Sequence, residues 1–207
     1  MTNEQIIELL KRGFPDEEEL IEGIMKDELK LEQVSLAYEN GLKKGQVASI
    51  IGVAEYGWEA MEQVRWTYKD GLKDEQVANI IGVAEYGWEA MRQVRWTYKD
   101  MKQVRWTYKD GLKDEQVANI IGVAEYGWEA MRQVCFAYYD GLKDEQVANI
   151  IGVAEFGREA MLQVRLAYKS GLKEDKIASI ISVAENGWQA MEQARLTYER
   201  GNKIKCG

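Results

Sequence analysis

The chain has 207 residues, 46% of them apolar, and a formal net charge of -8. That apolar share supports a sizeable core, while the acidic balance argues against a nucleic-acid partner, because basic surface supplies most of the affinity for a phosphate backbone. Histidine is absent, which removes the commonest general base and metal ligand together, and Cys135 and Cys206 stand too far apart to form a metal-type spacing or a disulfide framework.

Residues 1–30 hold nine acids against four bases, so this head carries -5 of the net charge and the repeat body is close to neutral. The opening Met1-Thr2-Asn3-Glu4-Gln5 has no basic leader, and no apolar run approaches a membrane span, so neither a signal peptide nor a membrane anchor is expected. A reduced, cytoplasmic protein is the corresponding expectation. The only proline is Pro15, inside GFPDEEELIEGIMKDEL, and residues 1–30 read as a divergent acidic N-terminal helical cap. LEQVSLAYEN at 31–40 aligns with the later MEQVRWTYKD and opens a first repeat stack over 31–100.

Gly-Leu then opens a 30-residue unit at 41, 71, 111, 141 and 171, close to GLKDEQVANIIGVAEYGWEAMRQVRWTYKD each time. Fixed-period similarity of this length marks a solenoid or array. In the unit 71–100, Leu72 and Val77 flank Lys73 as the two arms of a hydrophobic staple. Gln76 takes the third helical position, where a capping box wants Glu or Gln, and lysine leaves the other half of the box open. Val77, Ile80, Ile81 and Ala84 form the stripe of a first helix of about ten residues. Gly82 becomes Ser182 in the last unit, so it is expected to lie within that helix at a close-packed site. Gly87, kept in every full copy, is expected to cap a second helix of about thirteen residues, with Tyr86 and Met91 as another staple. Met91, Val94 and Tyr98 give the second helix its buried face, and a Gly71-Leu72 pair fits a Schellman stop. The fold class expected is all-α, an αα-hairpin repeat solenoid.

One segment breaks the period. Residues 101–110, MKQVRWTYKD, repeat 91–100 without a first helix, and Met101 stands where the stop glycine belongs. A single continuous helix near 88–110, about 34 Å long at 1.5 Å per residue, is therefore expected to join two stacks. A second stack over 111–200 and a short tail over 201–207 complete the chain.

Equivalent side chains of stacked units should line up in rows. Gln33, Gln63, Gln93, Gln103, Gln133, Gln163 and Gln193 read as bridges between helices. Tyr38, Tyr68, Tyr98, Tyr108, Tyr138, Tyr168 and Tyr198 read as packed between units with the hydroxyl at the edge. Trp58, Trp88, Trp128 and Trp188, with Arg158 in the fifth place, read as half-buried, and the Trp66, Trp96, Trp106, Phe136, Leu166, Leu196 row as core between units. Arg65, Arg95, Arg105, Arg165 and Arg195, interrupted by Cys135, form a basic row, and with Trp106 and Tyr108 of the irregular segment they are the candidate interaction surface. Glu55, Glu85, Glu125, Glu155 and Glu185 form an acidic row. Basic and aromatic residues also alternate along 92–109, as in single-strand nucleic-acid clamps, but the same aromatics recur elsewhere as core.

No catalytic set emerges. The glycines of Gly82-Val83-Ala84-Glu85-Tyr86-Gly87 lack the lysine and hydroxyl of a phosphate loop, and 69–75 lacks the alternating acids of a calcium loop. No enzyme activity, cofactor or metal is expected. The residues Gly-Leu-Lys-Asp-Glu-Gln-Val followed by Trp-Glu-Ala-Met-Arg-Gln-Val-Arg resemble short two-helix repeats of some gut Firmicute and mobile-element proteins, over most of 31–200. The chain departs from that pattern where Gly87 stands in place of an Asp or Ser cap. The resemblance implies an αα-repeat and no settled activity, so it assigns no functional residues. The architecture is also similar in type to tetratricopeptide repeats, with a shorter unit. These observations favour a scaffold binding a protein or peptide on the solenoid surface. The alternatives are self-association of two or more copies through 101–110, and an engineered or recently expanded array without a ligand, which the near-identity of the central copies fits.

Overall fold

The computed structural model describes the backbone of residues 2–103 and 112–205, with side chains at 2–99 and 112–201. Among these the protein is all-helical, with thirteen α-helices and no strand. The helices α1 (Asn3–Gly13), α2 (Glu18–Met25) and α3 (Glu28–Glu39) come first. Hairpins follow as α4 (Lys44–Ile51) with α5 (Trp58–Lys69), α6 (Asp74–Ile81) with α7 (Trp88–Gln103), α8 (Asp114–Ile121) with α9 (Trp128–Tyr139), α10 (Asp144–Ile151) with α11 (Arg158–Lys169), and α12 (Glu174–Ile181) with α13 (Trp188–Lys205). The chain divides into two compact units, 1–99 and 100–207.

In each unit the second helices stack directly on one another, α3 on α5 in the first and α9 on α11 on α13 in the second. The first helices pack across them, as in an αα-solenoid. Val77 and Ile80 of the first helix and Ala90, Met91 and Val94 of the second are all buried. Met61, Met91, Met131, Met161 and Met191 are fully buried at the same place in each hairpin. Each contributes roughly 1.5–3 kcal/mol by its burial.

The local signals explain where the helices start and stop. The Gln46, Gln76, Gln116 and Gln146 side chains accept from the backbone N–H of Lys43, Lys73, Lys113 and Lys143 at 2.9–3.0 Å, the half of the box that lysine leaves available. At the far end, Leu72 N–H donates to Thr67 O at 3.3 Å and Gly71 N–H to Tyr68 O at 3.0 Å, the two bonds of a Schellman stop. Gly71 adopts φ 73°, which glycine takes without strain.

Several local expectations need correction. The first helices have eight residues and the regular second helices twelve, because the chain leaves the first helix at Gly82 and makes a 3-10 turn over Ala84–Tyr86. Gly82 is therefore the C-cap of α6, in ordinary helical geometry (φ −60°), and not an interior packing site. Tyr86 is 43% exposed, so it does not serve as the buried arm of a staple. Gly87 does cap the second helix, at φ 94° and ψ 165°. The tail is not frayed from 201: α13 runs to Lys205 because Asn202 follows Gly201 where a stop needs an apolar residue. Helix α7 continues past Asp100 to Gln103, as the missing glycine implies. Its expected course to 110 lies outside the described residues.

Candidate interaction surface

The basic row does not form an exposed face. Arg65 and Arg95 are only 5% and 9% exposed, and Arg165 and Arg195 are half-buried. The reason lies in the helical wheel: Arg65 follows Met61 by four positions and Val64 by one, which turns it toward the preceding second helix. There it meets the glutamine row. Arg65 Nε donates to Gln33 Oε1 at 3.0 Å, Arg95 Nη1 to Gln63 Oε1 at 3.1 Å, and Arg195 Nε to Gln163 Oε1 at 2.9 Å. Carboxylates complete the ladder: Asp70 lies 3.5 Å from Arg95 and 3.0 Å from Lys99, and Asp140 lies 3.5 Å from Arg165 and 2.8 Å from Lys169. Burial pushes the guanidinium pKa of Arg65, Arg95 and Arg165 down, and the nearby acids oppose it. Gln33, Gln63 and Gln163 thus bridge helices with arginines as their structural partners, whereas Gln133 Oε1 is buried without a hydrogen bond to Arg165 and Gln193 is exposed. Arg105, Trp106 and Tyr108 lie outside the described residues.

The tyrosine row ties the two helices of each hairpin together, and Tyr168 also reaches the next repeat, its hydroxyl donating to Glu174 Oε2 at 3.0 Å. The Asn79, Asn119 and Asn149 side chains donate to the hydroxyls of Tyr98, Tyr138 and Tyr168 at 2.5–2.6 Å, and Tyr68 donates to Ser49 Oγ at 3.0 Å. Each bond ties the first helix to the second, and Tyr98, Tyr138 and Tyr168 are buried. The Trp66 row is not core: Trp96 is 43% exposed and Trp66, Phe136, Leu166 and Leu196 are half-buried. The chain's own cations cover its rings. Lys69 lies 4.5 Å from the Trp66 ring centre, Arg92 4.9 Å from Trp96, and Arg132 5.0 Å from Phe136.

The surface that remains is the turn edge, of which the sequence shows the acidic row but not the exposed aromatics beside it. In the 3-10 turn Ala84 is buried and Glu85 and Tyr86 face outward, and Gly87 then reverses the chain. The pattern recurs, leaving Tyr56, Tyr86, Tyr126 and Phe156 exposed beside the exposed Glu55, Glu85, Glu125 and Glu155. Trp58, Trp88 and Trp128 are half-buried two residues on, as expected from the Arg158 replacement, but Trp188 is exposed, because no further repeat follows to cover it. The Tyr56 phenol is pushed above its ordinary pKa chiefly by Glu55, with burial and then Glu85 adding to it, so carboxylates of successive turns act on one ring. Tyr126 stands in the same relation to Glu125 and Glu155.

At its N-terminal end this edge runs into a cleft of about 560 Å³, where Asp16, Glu17, Glu18 and Glu19 join Glu55 against the single base Lys30. A second cleft of about 590 Å³ lies on the cap, with Phe14, Pro15, Ile21 and Met25 among its lining. Among the described residues no three His, Cys, Asp or Glu side chains come together as a metal site, and no helix is long and apolar enough to cross a membrane. The chain matches no protein-family model, no curated protein and no solved structure.

Proposed function

We propose that the protein is a non-enzymatic scaffold that holds a peptide or protein along the turn edge of its repeats. The observation that supports this is the row of exposed aromatics, Tyr56 and Tyr86 in the first unit and Tyr126 and Phe156 in the second. Their rings are exposed at the same place in four successive turns. Aromatic side chains offer large contact area at low conformational cost and anchor many interfaces. Selection of a random displayed peptide library on the full chain tests the reading. Peptides should be enriched that no longer bind when Tyr56 and Tyr86 are both changed to Ser. A library that yields none, or binders indifferent to that change, would overturn it. The competing reading, self-association through 101–110, rests on the unit that lacks its first helix. It requires a dimer mass by light scattering that falls to monomer when 101–110 are deleted, whereas the binding-scaffold reading expects a monomer in both cases.

A further inference from the structure

The joints between successive second helices do not all carry the same charges. Asp70, at the end of α5, meets Arg95 and Lys99 of α7, and Asp140, at the end of α9, meets Arg165 and Lys169 of α11. At the joint of α3 with α5 the two bases are present as Arg65 and Lys69. Gln33 bonds Arg65 at the same spacing of 32 residues as Gln63 bonds Arg95, so the helices stack in the same register. The acid's place is held by Asn40. Arg65 meets Glu62 of its own helix at 3.8 Å instead, and Lys69 lies 4.5 Å from the Trp66 ring centre. Asn40 is followed by Gly41, and both are exposed at the stop of α3. Asparagine before glycine is the dipeptide that loses its side-chain amide most readily, because no side chain hinders the following nitrogen.

We propose that Asn40 is a self-modifying site, whose conversion to aspartate completes the ion ladder of the first joint. The Gly41 backbone nitrogen attacks Cγ of Asn40 and closes a succinimide, and the side-chain nitrogen leaves as ammonia with the proton that Gly41 gives up. Water then adds to the ring and opens it. Opening at Cγ restores the main chain and leaves an aspartate at position 40. Opening at the backbone carbonyl leaves an isoaspartate, with an extra methylene in the main chain. The Gly41 N–H donates to Tyr38 O at 2.9 Å, but a helix end frays at low cost, and fraying frees the nitrogen. Asn79, Asn119 and Asn149 are protected: they lie inside helices, their amides donate to tyrosine hydroxyls, and isoleucine follows each. Asn186 also precedes a glycine, but its acid would stand beside Glu185 and complete no ladder.

The test incubates the full chain in warm, mildly alkaline buffer made with heavy-oxygen water and weighs its peptides at intervals. Asn40 should exchange its amide nitrogen for a labelled oxygen at least about tenfold faster than Asn79, Asn119 or Asn149, because a helix end opens more easily than a helix interior. The consequence is read from the Asn40→Asp variant. A carboxylate at a helix C-terminus is opposed by the helix dipole, so the change alone would lower the melting temperature. With Arg65 and Lys69 to meet it, the variant should melt about 1–4 °C higher than the wild type, and the gain should shrink as salt rises. Conversion of Asn40 no faster than that of the three helical asparagines would overturn the proposal, and so would a melting temperature that Asn40→Asp leaves unchanged or lowers.

Discussion

The bond between Gln63 and Arg95 makes a quantitative prediction about what holds one repeat to the next. Both side chains are buried, and Arg95 Nη1 donates to Gln63 Oε1 at 3.1 Å. Gln63→Met keeps the volume and removes the acceptor. A hydrogen bond to a charged group is worth about 1.5–3 kcal/mol, and Arg95 keeps Asp70 at 3.5 Å, so the cost should fall near the lower bound, about 1.5–2 kcal/mol. Arg95→Met leaves the buried Gln63 amide short of its donor, at about 1–3 kcal/mol. With both changed, no orphaned amide or guanidinium remains and Asp70 keeps Lys99 at 3.0 Å, so the cost should drop to about 0–1 kcal/mol. Cys135 supports this, since a small neutral side chain already stands in the arginine row there and is buried. The expected coupling is about 3 kcal/mol, read from urea denaturation of the wild type, both single variants and the double variant with the slope held constant. Additive losses, with coupling under about 0.5 kcal/mol, would refute the ladder as a joint between repeats.

Two further outcomes follow from the hairpin geometry. Gly87 sits at φ 94° and ψ 165°, so Gly87→Ala should cost about 1–3 kcal/mol. Gly82→Ala, at φ −60° where the last unit already carries Ser182, should change stability by no more than about 0.5 kcal/mol; thermal melts of the two variants decide. Burial, more than any neighbour, pushes the Tyr168 phenol above its ordinary 10.0, with Glu174 adding and the Asn149 bond subtracting. Because the folded-state value is the higher one, this group's contribution is fully present below the ordinary value and is lost as pH rises through the raised one. Melting temperature should therefore decline on the alkaline side, and less steeply in Tyr168→Phe; identical pH profiles for the two chains would refute the assignment.

Much of the hairpin was legible because its signals are local. The glutamine half of the cap, the Gly-Leu stop and the glycine before the second helix each depend on residues within five positions of one another, and all three stand where the spacing places them. The 3-10 turn was missed because Val77, Ile80, Ile81 and Ala84 satisfy a helical period whether or not the helix continues through Gly82. Periodicity reports which residues face inward, and Ala84 faces inward from the turn as well as it would from a helix.

The side-chain rows were harder, for a physical reason that also decides where the site should be sought. A charged residue beside the buried stripe of a helix faces either solvent or the next helix, and the pattern of one helix does not distinguish the two. The partner needed to resolve Arg65 or Arg95 lies thirty-two residues earlier, in another repeat. Drift between copies offers a second signal. The positions kept in all five full copies include Met91 and Gly87, and these are fully buried or held at positive φ. The turn edge, by contrast, changes toward the C-terminus, where Tyr86 becomes Phe156 and then Asn186, Trp88 becomes Arg158, and Glu89 becomes Gln189. An edge free to drift in the fifth copy is not needed for folding there, so its aromatic and acidic side chains in the first unit are not explained by stability. There the tyrosines and glutamates are intact and the acidic cleft adjoins Glu55, so under the proposed scaffold function residues 16–19, 55–59 and 85–89 are where substitutions should impair binding and leave folding intact.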